Sequence, residues 1–196
     1  PIADTIVDLV LNSPDVILFK NEHNDPCIQF RVGNHLEYWP FKDKTVRHWM
    51  GHIYHEQYQK AASSDALTVA GNMLQGKAIF QGPQFTLSVR VATHNENIYY
   101  SLSNDAWEVI CITKDGWSVV GNPPILFRRY SHQRQQVKPV PGGDVWKIFD
   151  FVNVKHEDDK IIFLVLLISC IIPDFPHPIL YLHGPQGSAK STASRM

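Results

Sequence analysis

Cysteine is scarce in this chain: Cys27, Cys111 and Cys170 are the 3 among 196 residues, and they lie far apart. An odd number without CxxC spacing argues against a disulfide framework and against a cysteine-built zinc site. A reducing, cytoplasmic compartment is the expectation. Charge of one sign is not in excess either. The chain has 18 Lys and Arg against 19 Asp and Glu, a formal net charge of −1, so no global basic field points to nucleic acid and any such binding must be local. A long hydrophobic run is also missing. The most apolar stretch, IIFLVLLISCII at 161–172, falls short of the about 20 residues a bilayer-spanning helix needs. It follows Asp158-Asp159-Lys160 and stops at Pro173, as a buried helix would. No membrane partner is expected. The opening PIADTIVDLVLNS carries acids and no basic n-region, so it is not expected to be a signal peptide. Internal repeats, low-complexity tracts and a locally supported Ser-His-Asp or Cys-His arrangement are all lacking.

Hydrophobic residues make up 44% of the chain, enough for a packed core and too many for general disorder. Ile2, Ile6, Val7, Leu9 and Val10 fit an amphipathic helix ending near Ser13-Pro14. VILFK, CIQFRV and HLEYWPF then read as short strands separated by Asn-Asp-Pro and Gly-Asn turn signals. Helices are expected over 44–61 and 64–80, the second opened by Ser63-Ser64-Asp65. From Phe85 the hydrophobic period becomes two: FTLSVRVAT, NIYYSLS, WEVICIT and WSVVG read as an antiparallel meander with turns at Asn95-Glu96-Asn97, Asn104-Asp105 and Lys114-Asp115-Gly116. Residues 121–143 are Pro- and Arg-rich and read as a linker, or as a segment wrapping one domain onto another. Asp144 then caps a short helix with Val145, Ile148 and Phe149, an apolar helix covers 158–172, and HPILYLHG is a strand. The fold class is therefore α+β. An N-terminal domain of helices and a mainly antiparallel meander (1–120) and a linker (121–143) precede the beginning of an α/β P-loop domain (144–196).

The last strand feeds GPQGSAKST, residues 184–192. Gly184 and Gly187 can adopt backbone conformations closed to other residues, so that successive N–H groups, those of Ser188 and Ala189 among them, point at phosphate oxygens. The N-terminus of the helix that Lys190-Ser191-Thr192 would open adds partial positive charge. Lys190 would reach the β/γ-phosphates, and the Ser191 hydroxyl would serve Mg²⁺. Ala189 stands where the GxxxxGK[ST] pattern has glycine. ATP and Mg²⁺ are the expected ligands. Hydrolysis also needs a later-strand carboxylate, a water-positioning residue and often a neighbour's arginine. These would lie past Met196, so the expectation is the front part of a longer protein that does not hydrolyse ATP alone.

From about Glu96 to Thr192 the chain resembles a segment of ATPases of phages and integrated mobile elements, which are similar to primase-associated helicases of the superfamily III type. The residues that carry the resemblance are IYYSLSNDAWEVICITKDGWSVVGNPPILFRR, PVPGG, FVNV, IIFLVLLISCII and PHPILYLHGPQGSAKST, in that order. The resemblance implies ATP binding with Mg²⁺, a ring-forming homo-oligomeric motor and DNA replication. It gives phosphate and metal roles to Gly184, Gly187, Lys190 and Ser191. Residues 1–80 match loosely and show no primase carboxylate cluster.

Other constellations are weaker. Arg128, Arg129, Tyr130, His132, Arg134 and Lys138 form a basic cluster suited to a DNA backbone and a stacked base, or to a solvated linker. His48, His52 and His55 share one helical face beside Glu56, but HWMGHIYHE is not HExxH, and a solvent-exposed face is the favoured reading. Trp39, Trp107, Trp117 and Trp146 fit core positions, while Asp105, Glu108 and Asp115 read as turn acids. Two other readings stay open: a non-catalytic protein- or DNA-interaction and assembly module, and a small-molecule P-loop kinase. The kinase is the weaker, because about 180 residues precede its loop.

Overall fold

The computed structural model describes residues 1–130 and 133–187, and the chain divides into two compact units, 1–136 and 137–196. The class is α+β.

The first unit opens with α1 (Ile2–Asn12), whose buried Ala3, Ile6, Val7 and Val10 follow helical spacing. Strands β1 (Ile17–Lys20), β2 (Pro26–Val32) and β3 (His35–Pro40) form a three-stranded antiparallel sheet. Helix α2 (Lys44–Tyr58) starts where the Asp43 carboxylate accepts the Thr45 N–H at 2.8 Å, and it ends at Gln59, which takes a left-handed φ of 54°. Helix α3 (Ser64–Phe80) starts at Ser63, whose hydroxyl accepts the Ala66 N–H at 3.2 Å. The three helices cover one face of the sheet. Ile28 and Phe30 of β2 sit fully buried among Ile6, Val10, Val46, Met50 and Leu74, and Phe30 stacks on Trp49 with ring centroids 4.3 Å apart. Ala70, Gly71 and Ala78 keep the buried side of α3 thin. Gly82 is required by close approach: a Cβ there would meet the carbonyl oxygens of Ala78 at 2.5 Å and Leu18 at 2.6 Å.

Strand alternation sends Phe19, Cys27 and Tyr38 to the other face of this sheet, where they pack with Leu87 and Trp107. A four-stranded meander follows, with β4 (Val91–His94), β5 (Asn97–Ser101), β6 (Val109–Thr113) and β7 (Gly116–Val120) adjacent in chain order. Asn95 and Glu96, at φ 48° and 65°, make the tight two-residue turn between β4 and β5. Inward-facing Tyr99, Val109 and Cys111 pack with Ile125 and Phe127.

Two expectations shift here. Of the FTLSVRVAT stretch only 91–93 is ladder; residues 85–90 are tied down singly, by Phe85 N–H to Lys20 O (2.9 Å) and Ser88 N–H to Leu126 O (2.9 Å). Residues 121–136 lie within the first unit. Ile125 and Phe127 are buried, Arg128 N–H donates to Ser88 O at 2.7 Å, and Gln136 N–H donates to Leu102 O at 2.8 Å. The Pro-rich composition that suggests a linker also suits an extended strap, since both lack regular hydrogen bonding of their own.

The second unit holds a 3₁₀ helix (Val145–Asp150), capped by Asp144 accepting from Trp146 N–H at 2.9 Å, and α4 (Glu157–Ser169). Phe149 lies 5.8 Å from Trp146 and 6.0 Å from Phe163. The expectation that α4 is buried does not hold among the described residues. Ser169 is its one buried residue, and Ile161, Ile162, Val165 and Ile168 are exposed. The strand expected at HPILYLHG is absent too. Residues 177–184 pair with no ladder partner among the described residues, and Ile179 is 96% exposed. Strand hydrogen bonds need a neighbour, and an apolar helix buries nothing without a surface to cover it. No helix among the described residues is long and apolar enough to cross a membrane.

Candidate functional site

The glycine-rich loop is described up to Gly187. Pro185–Gly187 form a turn, with Gly184 at φ 150° and Gly187 at φ 83°. These values suit glycine and would strain any side chain. No heavy atom lies within 4 Å of where a Gly187 Cβ would stand, so the turn is open on that side. Ser188, Ala189, Lys190, Ser191 and Thr192 lie outside the described residues, as does His132.

The basic cluster is split. Arg128 reaches back across the first unit to the Glu22 carboxylate and donates to the Tyr130 hydroxyl at 3.2 Å. Burial by itself would raise the Glu22 carboxyl. The Glu22 and Leu87 backbone N–H groups, with Arg128 and His23, outweigh it and hold the carboxyl below its ordinary value. Burial works to weaken the Arg128 cation, but Tyr130 and Glu22 reverse the effect and strengthen its hold on the proton. Arg129 stacks over the Trp107 ring, 3.9 Å from its centroid, and donates to Asn104 O. Burial lowers its proton affinity, opposed by Glu37 and Asp105; a guanidinium stays charged regardless. These two arginines are clasps between the strap and the rest of their unit. Arg134 is exposed in the first unit, and Lys138 is exposed in the second.

Beneath Arg129 lies a polar–aromatic junction between the two sheets. Trp39 Nε1 donates to Glu37 Oε2 at 2.6 Å, and His35 Nε2 lies 3.0 Å from Glu37 Oε1. Trp107 meets Tyr38 and Trp39 edge-on, with centroids 5.5 and 5.6 Å away. The cavity here, lined by Leu36, Tyr38, Trp107, Ile125, Phe127 and Arg129 among others, measures about 10 Å³. That is space for about one water, so the junction is packing and not a substrate pocket. Cys27 nearby is fully buried, and burial pushes its thiol up to about 11, leaving it unreactive at neutral pH.

The three histidines of α2 are all exposed, and no metal-competent group of His, Cys, Asp or Glu exists among the described residues. Glu108 accepts from Asn104 Nδ2 at 2.7 Å, closing a turn. Trp107 is buried, though in a loop at φ 54°, whereas Trp117 and Trp146 are 44% and 47% exposed. Sequence reasoning missed one group altogether: Arg90, whose guanidinium lies 5.8 Å from the Tyr100 ring centroid. The available signal was the absence of polar alternation in NIYYS and VICIT, which marks a sheet apolar on both faces.

A comparison of the chain with family models, curated proteins and solved structures returned no match.

Proposed function

We propose that the chain binds ATP·Mg²⁺ through residues 184–192 and is part of a cytoplasmic, oligomeric DNA-replication ATPase of the primase-associated helicase type. The observation that carries this reading is the backbone at Gly184 and Gly187. Both glycines have positive φ, Gly187 with open space where a Cβ would stand, and they are placed ahead of Lys190-Ser191 at the P-loop spacing. Such a turn fits a phosphate group, because consecutive N–H groups can converge without a side chain in the way. In this assignment the N–H groups from Gly187 to Thr192 cradle the phosphates, Lys190 supplies the cation for the β/γ oxygens, and Ser191 offers its hydroxyl to Mg²⁺. Bound Mg²⁺ supplies charge neutralisation across those oxygens.

The test is equilibrium binding of a fluorescent ATP analogue with Mg²⁺ to the full protein and to Lys190→Ala. Losing a charge-assisted contact to phosphate should weaken binding about tenfold to a hundredfold. Equal binding by the variant, or none by the unmodified protein, overturns the assignment. The non-catalytic interaction module would then be the better reading of the first unit.

A further inference from the structure

The meander β4–β7 is buried on one face only. The register sets two rows across the opposite face: Thr93, Ile98, Ile112 and Trp117 in one, Val91, Tyr100, Ile110 and Val119 in the other. None of the eight belongs to a buried cluster, and Trp117 is 44% exposed. Antiparallel sheets that face water on one side normally alternate apolar with polar. This one does not, which marks the outer face as a contact surface.

Charge on this face selects the class of ligand. The Arg90 guanidinium lies over the Tyr100 ring, held by Ser101 O at 3.1 Å and Ser103 Oγ at 3.2 Å. It makes no ion pair with a carboxylate among the described residues. A fixed, unneutralised guanidinium beside the half-buried Tyr100 ring, with the exposed Trp117 ring on the same face, fits a ligand both planar and anionic. Tyr100 and Trp117 sit two strands and one row apart, about 12 Å by strand spacing. One base cannot span that distance, so each ring faces a different base.

We propose that the outer face of the four-stranded sheet is a platform for single-stranded nucleic acid: Tyr100 and Trp117 stack bases, and Arg90 holds the phosphate flanking the base on Tyr100, on the side away from Trp117. The choice of DNA as the probe rests on the replication reading above. The platform lies wholly within the first unit and is independent of Arg128 and Arg129, whose side chains are engaged with Glu22 and Trp107.

The experiment is fluorescence anisotropy of labelled oligo-dT of about 20 nucleotides, and of a duplex of equal length, with the full protein in low salt. Trp117→Ala, Tyr100→Ala and Arg90→Gln are each expected to weaken single-strand binding about tenfold, while Tyr100→Phe retains it. Melting curves establish that each variant is folded. Trp117 is exposed, so its replacement keeps the test valid even if Tyr100→Ala unfolds. Lys190→Ala should leave oligo-dT binding unchanged, which separates failure of the platform from failure of the nucleotide site. No single-strand binding, binding indifferent to Trp117→Ala, or a concentration-dependent dimer abolished by Trp117→Ala without DNA binding would each overturn the proposal. The dimer would make this face a surface for a second copy of the chain.

Discussion

Helices α3 and α4 put similar materials to opposite uses. Helix α3 interrupts its apolar positions with Ser64, Asp65, Asn72, Gln75 and Lys77, yet Ala70, Gly71, Leu74 and Ala78 are buried against α1 and the first sheet. Helix α4 runs apolar without a break from Ile161 to Ile168 and buries only Ser169. The difference lies in what surrounds each helix. Helix α3 lies against the first sheet and its neighbouring helices, which present matching apolar surface. Within its own unit α4 meets Phe149 through Phe163 and Lys160. Apolar content sets how much burial is possible; a facing surface sets how much is realised.

Mutation should expose this contrast most strongly in the cores. Phe30→Ala removes a fully buried ring stacked on Trp49 and should cost about 3–5 kcal/mol, whereas Ile162→Ala, at a site 65% exposed, should stay within about 0.5 kcal/mol. Denaturant midpoints of the two variants measure the difference directly, and similar losses would break the comparison. Next in size is Gly82→Ala. The new methyl meets backbone oxygens of Ala78 and Leu18, which cannot swing aside, so a loss of about 1–3 kcal/mol is expected in the same assay. The smallest effect concerns the strap. Glu22 has its carboxyl held below the ordinary value in the folded state, so its contribution is present above the unfolded value and is lost as pH falls through the folded one. The unmodified protein should therefore lose part of its stability on acidification below about pH 4.5, and Glu22→Gln should show a flatter acid limb. Urea midpoints between pH 3 and 6 test this, and parallel limbs would remove Glu22 from the clasp.

Much of the first unit was legible before any coordinates. The Ser63 cap, the spacing of Ile6, Val7 and Val10, and the Asn95-Glu96 turn are local signals, and local signals survive folding because they depend on neighbours in the chain. Legibility failed where distant partners decide. Trp107 reads as a strand residue but lies in a loop, because Tyr38 and Trp39 from the other sheet and Arg129 from the strap hold it there. Arg128 and Arg129 read as a nucleic-acid patch or as a solvated linker, and neither reading foresees that Glu22, 106 residues away, and Trp107 engage them. Arg90, separated by ten positions from Tyr100, gave no motif to find.

By itself, then, the sequence determined the α+β class, the order of helices and meander strands and the positions of their caps and turns. It also placed glycines 184 and 187 ahead of Lys190. Each follows from backbone preferences and from apolar period over a few residues. Only the tertiary structure decided which face of each sheet is covered, where the strap 121–136 goes, and which arginines are neutralised. Burial and ion pairing are properties of surfaces brought together, and no residue carries its partner's position in its own identity.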